Sequence, residues 1–170
     1  MIGCAPKTST DFYKLALRQC HHKKTFQTAM TNFKKAIELD SNNALAYIAL
    51  GSWKMNQYNL IDIHDARNYF IKAHTIDTTD SYYLYLIAYT YVQEGTYKYH
   101  TVYVENLKEA IPYLDKAISL NDKDNLYFYE RYLCYSYIGD TVKANIDLRK
   151  SCELKNPVAC MILNGDLKKK

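Results

Sequence analysis

Four times along the chain an alanine is followed, four residues on, by a large apolar residue and, three further, by a small one. The sets are Ala29-Phe33-Ala36, Ala66-Phe70-Ala73, Ala110-Leu114-Ala117 and Ala144-Leu148-Ser151. An apolar residue follows each set (Leu39, Ile76, Leu120, Leu154), and then a polar turn such as Ser41-Asn42-Asn43 or Asp122-Lys123-Asp124. Steps of three and four residues put these side chains on one face of a helix. Recurrence of the same face means that a helical hairpin is repeated, each copy too small to bury its own apolar surface alone. The expected fold is therefore all-α, a stack of about four helix-turn-helix units.

Composition agrees. The chain has 170 residues, 48% of them hydrophobic, with only five Gly and three Pro, which argues against a turn-rich β sandwich. Net charge is +4, with 22 basic residues scattered among 18 acidic ones. That balance is too weak to argue for a nucleic-acid partner. No apolar run reaches the length of about 18 residues that a membrane span needs, so no transmembrane segment is expected.

The pattern divides the chain into a tail or tether (1–9), four repeats (10–43, 44–80, 81–124 and 125–158), and a partial capping helix with a basic tail (159–170). Two repeats are long, the second by about three residues near Asn59 to Ile63 and the third by about ten between Thr96 and Glu105. Insertions in such arrays are expected between the two helices of a hairpin, projecting from one edge. The aromatic and polar alternation in the second insertion also allows a short strand, and Tyr97, Tyr99 and Tyr103 are candidate contacts to a partner.

On these residues the chain resembles the tetratricopeptide repeat family, whose unit has about 34 residues. The resemblance covers about Thr10 to Val158; Leu50-Gly51 is the best match in a leading helix, and Arg131 stands where an apolar residue is expected. It implies a right-handed superhelical α-solenoid with a partial C-terminal capping helix. It also implies that leading-helix residues at helical spacing face a concave groove. These are Asp11, Lys14, Arg18 and His21 in the first repeat, and Leu45, Ile48, Ser52 and Met55 in the second. Tyr82, Tyr85, Tyr89 and Val92 follow in the third, then Leu126, Tyr129, Leu133 and Ser136 in the fourth. Of these, Lys14, Arg18, Ile48, Met55, Tyr82, Tyr85, Tyr89 and Tyr129 are the candidate peptide-binding residues. The family's clamp for a C-terminal carboxylate is not reproduced: Lys14 matches, but Arg18, Ser52, Tyr85 and Tyr89 occupy the other four places.

The chain has 18 tyrosines against five phenylalanines. Tyrosine offers a large contact area on few rotatable bonds and keeps a hydroxyl for a partner's backbone. The resemblance and this composition together lead to the expectation of a non-enzymatic scaffold or adaptor that holds a peptide or a partner helix in a Tyr-lined groove. The alternative is a structural or assembly factor that associates through repeat ends or edges, with its tyrosines as packing.

No enzyme motif stands out: there is no Gly-rich phosphate loop, no His-Glu-x-x-His and no Cys-x-x-Cys. His21 and His22 are adjacent, so their side chains diverge rather than converge on a metal. No cofactor or metal is expected. Five cysteines, an odd number, do not advertise a full disulfide framework. The stretch Ser151 to Cys160 resembles the cysteine-rich Sel1-like repeats. That resemblance implies a Cys152–Cys160 disulfide bridging one repeat to the next helix. Met1-Ile2-Gly3-Cys4-Ala5 resembles the end of a bacterial lipoprotein signal, which makes Cys4 a candidate lipidation site; three residues before it are too few for such a signal. The expected location is cytoplasmic on the sequence as given, with a periplasmic or cell-envelope lipoprotein as the alternative.

Overall fold

The repeated spacing forms the cores of the hairpins. In the computed structural model, which describes residues 6–20, 24–56, 60–96 and 102–165, all twelve residues of the four Ala-large-small sets are buried. Cys4, His21, His22, Tyr97 and Tyr99 lie outside the described residues. Those that are described form helices without strands. They divide into two compact units, Met1–Thr78 and Thr79–Lys170.

The first unit contains α1 (Ser9–Gln19), α2 (Phe26–Leu39), α3 (Ala44–Met55) and α4 (Leu60–Ile76), each packed on its neighbour in sequence. A capping box starts α1: the Asp11 amide donates to the Thr8 hydroxyl, and the Thr8 amide donates to the Asp11 carboxylate, both at 3.1 Å. Asp11 is therefore committed to the helix end. The core gathers Ala16, Met30, Phe33, Leu50 and the small residues Ala29, Ala36 and Ala46. Across the hairpins, the Ser9 hydroxyl donates to the Ala36 carbonyl at 2.8 Å and accepts from the Asn43 amide group at 2.9 Å.

The second unit contains α5 (Ser81–Thr96), α6 (Val104–Leu120), α7 (Asn125–Ile138), α8 (Thr141–Glu153) and the short α9 (Pro157–Leu163). Polar residues in the turns start these helices. Asp124 and Asp140 accept from the Leu126 and Lys143 amides, and Asn156 from those of Val158 and Ala159. Gly139 turns α7 into α8 at φ 89°, in the left-handed region. A polar seam closes the last repeat onto α9: the Ser151 hydroxyl donates to the Asn125 carbonyl at 2.8 Å, and the Asn156 side chain to that of Asn125 at 3.1 Å. Cys152 and Cys160 form a disulfide between the end of α8 and α9.

Leu39 and Leu120, the apolar residues that follow two of the sets, are about half exposed (48% and 47%) and sit at the edge of the buried face. Of the two insertions, Ile61 to Ile63 belong to α4, Thr96 to α5, and Val104 and Glu105 to α6, in keeping with a lengthened hairpin, while residues 57–59 and 97–101 lie outside the described residues. Extra residues with good helical spacing lengthen the helices because each added turn satisfies its own backbone. Tyr103 precedes α6 with its amide donating to the Gly95 carbonyl at 2.8 Å, and neither it nor Val102 forms a strand.

Arg131 does not disturb its helix; it is paired. Its guanidinium binds both oxygens of the buried Asp147 at 2.8 Å and Asp115 at 2.6 Å. One side chain thus links α7 to α8 and to α6. The forked donor set suits two carboxylates, and the pairing offsets the cost of placing charge where an apolar residue is expected.

Gly51 marks a close approach between helices inside the first unit. A Cβ there would lie 2.4 Å from the ring of Phe70, which is fully buried. We expect Gly51→Ala to cost about 1–3 kcal/mol through forced movement of that ring. Urea denaturation measures this, and a variant as stable as wild type would contradict the packing described.

Candidate functional site

Three of the expected groove residues form a continuous stack along α5. The ring of Tyr85 lies 5.8 Å from that of Tyr82 and 6.0 Å from that of Tyr89, with planes inclined by 26° and 25°. Spacings of three and four residues place them one turn apart on one helix face. From α7, Tyr127 stacks on Tyr85 at 5.3 Å, and its hydroxyl meets that of Ser81 at 3.1 Å.

The stack changes character from one end to the other. Tyr127 is 2% exposed and Tyr82 is 44% exposed. Tyr85 is half-buried and packs against both apolar clusters of this unit, one around Ala88, Leu114 and Cys134, the other around Leu84 and Ala117. Burial, and then the Glu130 carboxylate, push the Tyr85 phenol well above the ordinary tyrosine range. Burial also raises Tyr82, helped by Asp124 and Asp80. Tyr85 therefore joins two repeats, and Tyr82 is the ring most open to a partner.

The other expected residues are distributed differently. Tyr129 is half-buried and packs on Tyr132 at 5.8 Å, with planes tilted by 42°. Val92 is a core residue and not a groove residue, because α6 covers that turn of α5. Lys14 and Arg18 are exposed on α1, and Ile48 and Met55 are half-buried on α3, all in the first unit. Among the described residues no His, Cys, Asp and Glu cluster is placed to hold a metal ion.

Sequence reasoning missed Glu130. It is the sixth residue of the fourth repeat, the place held by Leu15, Ala49 and Leu86 in the others. A carboxylate in an otherwise apolar column was the available signal. Glu130 is 7% exposed, and its Oε2 is buried without a hydrogen-bond partner. The neighbouring Arg131 does not neutralise it, since that guanidinium is held by Asp147 and Asp115. Burial pushes the Glu130 carboxyl up to about 7, and burial, followed by the Glu130 charge, pushes the Cys134 thiol up to about 12.

This has a consequence for stability. An unfolded glutamate ionises near 4.5, whereas the folded one holds its proton to about 7. Between those values the folded state binds more protons, so stability falls as pH rises through the window, by about 3 kcal/mol for this group. Glu130→Gln should remove that part of the slope and raise the melting temperature at pH 8. Melting curves from pH 4 to 8 test this, and an unchanged slope in the variant would contradict it.

No protein-family model matches the chain, and no curated protein matches it. Solved structures do match. Residues 41 to the end of MamA from Desulfovibrio magneticus RS-1 are 21% identical over 86% of this chain and 75% of that one, with a TM-score of 0.66. YrrB, a TPR protein with an unusual peptide-binding site, is 22% identical over 86% of this chain and 69% of that one, at 0.68. PilW, a widely conserved type IV pilus biogenesis factor, is 18% identical over 89% of this chain, at 0.66, and the match spans 64% of PilW. At these identities the likeness is one of architecture: this chain has the all-α, tetratricopeptide-repeat fold.

Proposed function

We propose that the chain is a non-enzymatic interaction module that binds an extended peptide or a partner helix on the tyrosine-lined face of its leading helices, as a scaffold or adaptor. The observation that carries this reading is the Tyr82-Tyr85-Tyr89 stack, anchored at Tyr85 on the buried Tyr127 and open at Tyr82. An anchored ring wall loses little conformational freedom on binding, so more of its contact energy appears as affinity. Each ring buries roughly 150–250 Å² when fully covered. Partial cover of three rings, less the cost of association, corresponds to an affinity on the order of micromolar. The peptide-binding site described for YrrB is consistent with this use of the fold.

A second reading is favoured by a different observation. Val142 and Ile146, one turn apart on α8, are 70% and 61% exposed, and Val158 and Met161 are exposed on α9. Such surfaces suit assembly through an edge or end of the array. The Cys152–Cys160 disulfide supports an oxidising compartment for that role, and with it the envelope alternative, to which lipidation at Cys4 would belong. Likeness to a pilus biogenesis factor is compatible with it. Among the described residues no helix is long and apolar enough to cross a membrane.

The two readings separate in one experiment. Tyr82→Ala with Tyr129→Ala removes two rings that are not fully buried, and circular dichroism should show the helices intact. The groove reading expects capture of a partner from native cells to fall at least about ten-fold. Undiminished capture, together with concentration-dependent oligomers in sedimentation, would overturn it in favour of edge assembly.

A further inference from the structure

The last helix opens in the same way as the two leading helices before it. Asp80 accepts from the Tyr82 amide at 2.9 Å, Asp124 from that of Leu126 at 2.9 Å, and Asn156 from that of Val158 at 3.0 Å. The shared cap sets one register, so Tyr82, Leu126 and Val158 are equivalent, as are Tyr85, Tyr129 and Met161 one turn on. The first three are exposed to nearly the same degree, 44%, 42% and 41%, and Met161 is 43% exposed. None of the six carries a charge. A polar seam holds α9 beside α7: Asn125 accepts from the Ser151 hydroxyl and the Asn156 side chain, and donates to the Leu154 carbonyl at 3.3 Å. Val158 and Met161 thus continue the row of Tyr82 and Leu126, rather than the edge that carries Val142 and Ile146.

Little else holds α9 in that row. Isolated helices shorter than about 12–15 residues are marginal in water, and α9 has seven, of which only Ala159 is buried. The seam fastens its start, and the Cys152–Cys160 bond ties its middle to the end of α8. Both cysteines are half-buried, not sealed in a core. A dithiol reductant would open the bond by two exchanges. Its first thiolate takes one cysteine sulfur into a mixed disulfide and releases the other, and its second thiol then displaces the protein. Two electrons and two protons pass to Cys152 and Cys160, and the reductant leaves as a disulfide. The seam and one buried alanine would then be all that keeps α9 in place.

We propose that α9 is the third rung of the recognition face and that the Cys152–Cys160 bond controls it, so that an uncharged, extended partner segment engages Val158 and Met161 only while the bond is intact. This rests on the groove reading above and adds the reach of the groove and its control. Packed helices lie about 8–10 Å apart, and a polyproline II chain repeats every three residues, about 9 Å. An apolar side chain at every third residue therefore meets successive rungs. Asp80 and Asp124 place carboxylates beside the row, acceptors for N–H groups that an extended chain leaves unpaired and a helix does not.

The test titrates the blocked peptide Ac-Leu-Pro-Ala-Leu-Pro-Ala-Leu-amide into the full oxidised chain, followed by NMR. Side-chain signals of Tyr82, Leu126, Val158 and Met161 should shift together. In Cys152→Ser with Cys160→Ser, and in wild type treated with dithiothreitol, the amides of 158–163 should exchange at least about ten-fold faster. The Tyr85 and Tyr127 ring signals should stay as they are. The peptide should bind these forms about ten-fold more weakly, still shifting Tyr82 and Leu126. Met161→Ser, which leaves the bond intact, should weaken binding to the oxidised chain and change nothing in the reduced one. Equal exchange of α9 in oxidised and reduced forms would overturn the control by the disulfide. Shifts at the tyrosines without shifts at Val158 and Met161, or equal binding to both forms, would overturn the third rung and leave the tyrosine groove standing. A peptide that shifts none of these signals would count against the groove reading and the rung together.

Discussion

The architecture depends on one contact made four times: a large side chain from the second helix of each hairpin, set between two small residues one turn away on either side. Phe33, Phe70, Leu114 and Leu148 are all buried, and the residues flanking them are Ala or Ser. Small flanks let the backbones approach, and the large residue fills the space between them. Gly51 against the Phe70 ring shows how little space such a contact leaves. Because each hairpin solves its own packing this way, the leading helices are free to carry residues that packing does not dictate. The tyrosines of α5 and the charges of α7 are such residues.

Adjacent positions in α7 show two fates for a charge in an apolar column. Arg131 receives two carboxylates and ties three helices together. Glu130 receives none, and burial raises its carboxyl toward neutrality. Paired, a charge can specify one arrangement of helices; unpaired, it costs stability. Pairing explains why Arg131, which departs from the family pattern, leaves α7 intact.

Much of the fold was legible because period and burial have the same cause. The repeated Ala-large-small spacing marks the side of each second helix that is buried, and the polar turns supply the caps. Less legible was what depends on neighbours distant in sequence. Leu39 and Leu120 follow the pattern yet reach solvent, and Val92 has groove spacing yet is covered by α6. The spacing located the insertions, but not that Ile61 to Ile63 and Val104 to Glu105 would extend helices. Of the candidate groove, the sequence spacing placed Tyr82, Tyr85 and Tyr89 on one helix face, where their rings stack. It did not show that Tyr127 would clamp Tyr85 from another helix or that Glu130 would be buried alone, because both follow from how α5 and α7 meet.

Partner engagement on the tyrosine face is most directly measured by site-specific photo-crosslinking in the native cell. A photoreactive benzoyl-phenylalanine would be placed at position 82 or, for comparison, at position 146 on the exposed face of α8. The account predicts a discrete cross-linked partner from position 82 and none from position 146. Cross-links from position 146 alone would contradict it and assign recognition to the outer edge of the array.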